Sequence, residues 1–131
     1  MSRDLKDNLS EKAYETFMLL IDKSKKYEAK YLFEACSQHT NYAMEKFKEN
    51  PIIDFETAEK IDIAFKAVEK NWDSFSEQAK SYFKAAMYYF AISEDDEPDF
   101  ESITGFDDDV EAINACIKYA SLDDALISLK N

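Results

Sequence analysis

Ten carboxylates fall between Glu94 and Glu111 with no Lys or Arg among them: Glu94, Asp95, Asp96, Glu97, Asp99, Glu101, Asp107, Asp108, Asp109 and Glu111. Carboxylates at this density have two chemical uses. They can gather a hard cation through oxygen ligands, or, left solvated, they can project a negative field that draws in a basic partner. For the first use, Asp96, Asp99, Asp108 and Asp109 are the candidate ligands, with Ca²⁺ or Mg²⁺ as the ion. The spacing is not that of an EF-hand. Counted from Asp95, Phe100 stands where that loop needs glycine, and Phe106 where it needs a bidentate glutamate. For the second use, the candidate contact residues are Glu94, Asp95, Asp96, Glu97, Asp99, Glu101, Asp107, Asp108 and Asp109. The stretch also has a reading that needs no ligand. Pro98 stiffens a connection, Gly105 supplies a turn or a close approach, and Asp107–Asp109 complement the positive end of a following helix.

Other chemistries lack their residues. Gly105 is the one glycine of the chain, so no glycine-rich loop can cradle a phosphate. Cys36, Cys116 and His39 are too few and too far apart for structural zinc, and no Glu-x-x-His pair exists for a di-iron bundle. His39 falls on an apolar stripe without an acid–base partner at helical spacing, and reads as a packing residue. The two cysteines sit among apolar neighbours and read as buried, reduced thiols. A carboxylate pair for glycoside hydrolysis would need a raised pKa, which an exposed acidic loop does not supply. No catalytic residue is assigned, and the expectation is a protein that is not an enzyme.

Charge narrows the partners. The chain carries 28 acids against 16 bases, a net of −12; without the ten acids of the run, 18 acids and 16 bases leave a net of only −2. Direct nucleic-acid binding is disfavoured, because phosphates need a basic footprint. No signal core opens the sequence and no apolar run is long enough for a membrane span, so a soluble, cytoplasmic protein without membrane contact is expected.

The elements that must position the acidic stretch are helices. One Gly and two Pro in 131 residues leave no punctuation for a β architecture, and the length suits a single domain over residues 1–131. The expected fold is all-α: a compact bundle of about five to six helices with a central aromatic-rich helix and an acidic loop. A first helix is predicted from Asn8, with Asn8 and Glu11 as a capping box and Ala13, Phe17, Leu20 and Ile21 as its inner face. Lys23–Lys26 either interrupts it or is passed over, so residues 8–48 could be one helix or two. Leu32, Cys36, His39, Ala43 and Phe47 continue the stripe, and Pro51 closes it. Asp54 or Thr57 caps a helix faced by Ala58, Ile61, Phe65, Val68 and Trp72. Ser74 and Glu77 form a second predicted capping box before the central helix, which is apolar almost all round from Phe75 to Phe90. After the acidic run, Val110, Ile113, Ile117 and Ala120 give another buried face, and Ser121 is predicted to cap a short last helix through Leu122, Ala125, Leu126 and Leu129.

The order aromatic helix, Ile92-Ser93, Asp96, Pro98-Asp99-Phe100, Gly105-Phe106, Asp108-Asp109 resembles the YkvA-like family of small bacterial helical proteins. That family carries a Ser-Pro-x-Asp turn, then Pro-Asp-Phe, one glycine, and an Asp-Asp pair opening the next helix. The likeness covers Trp72 to Asp109. It departs from the pattern at Glu94, which takes the place of the first proline, and in a turn one residue short between Asp96 and Pro98. Asp95, Glu97, Glu101 and Ser102 also replace apolar family positions. The resemblance implies a helical hairpin around the loop and brings no established activity with it. The functional expectation is a binding module that presents the acidic patch to a basic protein. A Ca²⁺- or Mg²⁺-binding domain and an acidic nucleic-acid mimic acting as an inhibitor are the alternatives.

Overall fold

The computed structural model describes residues 3–51, 55–92 and 107–127, and all regular structure among them is helical. Its α-helices are α1 (Glu11–Ser24), α2 (Ala29–Glu49), α3 (Phe55–Lys70), α4 (Glu77–Ala91) and α5 (Asp107–Tyr119). Short 3₁₀ turns at Leu5–Asn8, Trp72–Ser74 and Asp123–Ala125 join or end them.

The aromatic helix is the centre. α4 packs on α1, α2 and α5, and α3 is attached through α2. Its Phe83, Met87 and Phe90 are buried, each contributing about 1.5–3 kcal/mol of apolar transfer. Its Ala79, Ala85 and Ala86 are buried too, and their small side chains let neighbouring helices approach. The other helices present the stripes their periodicity predicts: Phe17 and Leu20 from α1; Leu32, Cys36 and Ala43 from α2; Ala58, Ile61, Phe65 and Val68 from α3; Val110, Ile113 and Ile117 from α5. Phe90 ties three of these elements together, its ring centroid 6.1 Å from that of Phe65 and 4.8 Å from that of the nearly perpendicular His39 ring. Phe47 departs from its predicted stripe: it is 39% exposed and rests against Phe55 beyond the end of the core.

The helix ends differ from the expectations in ways that share a cause. Residues 8–48, which the sequence leaves open between one helix and two, form two. α1 stops at the buried Ser24, whose hydroxyl donates to the Ile21 carbonyl, and the turn after it is latched by Lys84 Nζ donating to the Lys25 carbonyl. α1 is capped by Ser10 rather than Asn8, and α4 by Ser76 rather than Ser74; each hydroxyl accepts the amide three residues on. In both places the residue before the cap, Leu9 or Phe75, is extended and packed on the core, so the helix cannot begin earlier. Asn8 and Ser74 instead close the preceding 3₁₀ turns. Thr57 is buried inside α3 and does not cap it, while Asp54 lies outside the described residues.

Ser121 ends a helix instead of starting one. Its φ of 60° is left-handed, and the amides of Ser121 and Leu122 donate to the carbonyls of Lys118 and Ile117. That is a Schellman closure of α5. Beyond it lies the single 3₁₀ turn Asp123–Ala125, and Leu129 is outside the described residues.

Candidate functional site

The acidic run enters the described structure at α5, with Asp107 and Asp108 in its first turn. Two or more acids at this end complement the helix dipole, which accounts for part of their placement without any ligand. Asp109 behaves differently. It is 3% exposed, four residues before Ile113 and on the same inward face. Asp109, counted in the sequence among both the partner contacts and the cation ligands, therefore stands inside the bundle and not on its surface. Its charge acts inward: burial first, then Asp62 and Asp109, hold the Cys36 thiol well above its ordinary pKa. Glu94, Asp95, Asp96, Glu97, Asp99 and Glu101 lie outside the described residues. Among the described residues, no group of three or more His, Cys, Asp or Glu side chains is placed to hold a metal ion.

Glu111 is the carboxylate of the run whose surroundings are best defined. Its Oε2 accepts the Ser10 amide at 3.3 Å, joining the second turn of α5 to the start of α1. This is the upper end of a strap. Residues 3–10 run along α5 from its C-terminal end to its N-terminal end, burying Leu5 and Leu9. Midway, Lys118 Nζ donates to Asn8 Oδ1 at 3.5 Å. At the far end, Arg3 grips Asp123 through two parallel bonds of 2.8 and 2.9 Å and is a second donor, beside the Ser121 amide, to the Lys118 carbonyl. The guanidinium holds the Asp123 carboxyl below its usual range.

Beside the Ser10–Glu111 junction, a groove of about 370 Å³ opens between α1, α4 and α5. Phe17, Leu20 and Ala112 form its floor, and Lys12, Thr16 and Glu111 stand at its rim. No single stretch of sequence announces it, since its walls come from residues about a hundred positions apart. The only hint was Glu111 as the last acid of the run.

The thiols are sealed elsewhere. Cys36 Sγ donates to the Met87 carbonyl and Cys116 Sγ to the Tyr82 carbonyl, and burial pushes both thiols up, away from the thiolate form that a nucleophile needs. His39 is packed by its ring against Phe90, with Nε2 away from solvent. Among the described residues no helix is long and apolar enough to cross a membrane. Compared with protein-family models, with curated proteins and with solved structures, the chain finds no match.

Proposed function

We propose that this protein is a non-enzymatic binding module of the cytoplasm that offers the Glu94–Glu111 stretch to a basic protein partner. The observation that carries the reading is the segregation of charge: ten acids and no base in that stretch, against a nearly neutral remainder. Like charges this close are stable when solvated or neutralised by a partner, and such a field speeds encounter with a basic surface. Cys36, Cys116 and His39, the residues most apt for nucleophilic or acid–base work, are occupied in packing, which supports binding over catalysis. Kinship with the YkvA-like family belongs to the same proposal and adds a helical hairpin, not an activity.

The test is a titration with a fluorescent lysine-rich peptide at low and high salt. It compares the native protein with a variant carrying Glu94→Gln, Asp95→Asn, Asp96→Asn, Glu97→Gln, Asp107→Asn and Asp108→Asn. Asp109 is left in place because it is buried. The expected result is salt-sensitive binding that the variant loses by about tenfold or more. Equal binding by the variant would overturn the proposal. A thermal shift on adding Ca²⁺ at matched ionic strength, absent from Asp108→Asn, would favour the cation reading instead.

A further inference from the structure

The acidic stretch explains why a basic partner would arrive; the groove beside Glu111 explains how it would stay. We infer that the groove seats one apolar side chain of that partner, which therefore binds as a basic segment with an apolar anchor. The inference rests on the acidic-patch reading and goes beyond it by naming the recognition mode. The volume of about 370 Å³ falls at the lower end of what concave binding sites offer, enough for a large side chain rather than a cofactor. The floor of Phe17, Leu20 and Ala112 offers carbon and no charge. Glu111 on the rim is oriented by the Ser10 amide, and a carboxylate with one oxygen so engaged still accepts from a cation.

Charge complementarity selects the occupant. Glu111 stands on the groove wall and Asp107 and Asp108 open the same helix a turn before it, so an anionic amphiphile would meet repulsion where a basic segment meets attraction. Lys12, the base among the described rim residues, sets the orientation: the partner's cations lie on the α5 side, away from α1. Division of labour results. The charges govern arrival and salt dependence, and the buried anchor governs departure.

The experiment uses two short lysine-rich peptides that differ at one central position, tryptophan in one and serine in the other. They are titrated against the native protein and against Thr16→Trp, which blocks the groove mouth from an exposed position without changing any charge. The tryptophan peptide is expected to bind the native protein about tenfold more tightly, chiefly through slower dissociation. Thr16→Trp is expected to erase that advantage and leave the serine peptide unchanged. Shifts of the Leu20 methyl signals in native protein, seen with the tryptophan peptide alone, provide a readout independent of the variant's folding. If both peptides bind the native protein equally and Leu20 does not respond, the anchor is wrong and the acidic patch stands. If neither peptide binds, the patch reading falls and the anchor with it.

Discussion

α4 and α5 lie side by side and treat polar atoms in opposite ways. α4 is enclosed by α1, α2 and α5, and even its carbonyls serve the interior, accepting the thiol hydrogens of Cys36 and Cys116. α5 buries one face and along its edge meets a row of exchangeable polar links, from Glu111–Ser10 through Lys118–Asn8 to Asp123–Arg3. The centre is held by packing and by groups frozen in their neutral form. The edge is held by groups that water, salt and protons can reach. Stability should therefore be written in α4 and responsiveness in α5.

That contrast can be broken by measurement, beginning in the core. Phe83→Ala removes a fully buried ring from α4 and should cost about 3–5 kcal/mol in urea unfolding. A loss below about 1 kcal/mol would mean that α4 is not the centre of the bundle. Next in size is the alkaline limb. Both thiols have folded pKa values raised above their ordinary ones. The stability that they contribute is whole below the ordinary thiol range and is lost as pH rises through and beyond it. The slope is about 1.4 kcal/mol per pH unit for each thiol. Cys36→Ala/Cys116→Ala should flatten the limb, and an unchanged slope would show that the thiols are less sealed than their burial implies.

The caps come third. Ser10→Ala and Ser76→Ala should each cost about 1 kcal/mol, against a few tenths for Asn8→Ala and Ser74→Ala. Reversal of that order would restore the capping boxes that the sequence suggests. The smallest effect belongs to the edge. Arg3 depresses the Asp123 pKa, so its contribution is present above the ordinary carboxylate value and lost as pH falls through the folded one. Both side chains are about half exposed, so high salt should weaken it further. Acid titration of the melting temperature checks it: Asp123→Asn should lose this part of the acid limb, and superimposable curves would make the pair inert.

What was legible in the sequence was periodic. The apolar stripes of α1, α3, α4 and α5 need only a repeat near 3.6 residues, and glycine scarcity excluded the alternatives. Helix ends were less legible, because Asn8 and Ser74 satisfy the capping pattern as well as Ser10 and Ser76 do. The choice is made by Leu9 and Phe75 seeking the core, a tertiary fact. Ser121 misled for a related reason: Ser-x-x-Asp reads as a start, but its left-handed backbone is required by the closure of α5. Asp109 looked like its neighbours in a row of acids and is distinguished only by the helical phase that turns it inward. The groove and the strap join residues from opposite ends of the sequence, and local pattern carries no trace of such contacts.

The strap has a kinetic meaning as well as a structural one. Arg3 and Asp123 are separated by 120 residues, and Ser10 and Glu111 by 101. Once α1 has docked on α4 and α5 that separation is already closed, and the strap adds only residues 3–10 with the two buried side chains Leu5 and Leu9. The strap is therefore expected to settle after α1 has docked and to open more readily than the central helix. Its amides at Leu5–Leu9 should exchange with solvent ahead of those of α4, so that a local opening lies along the helix that carries Glu111.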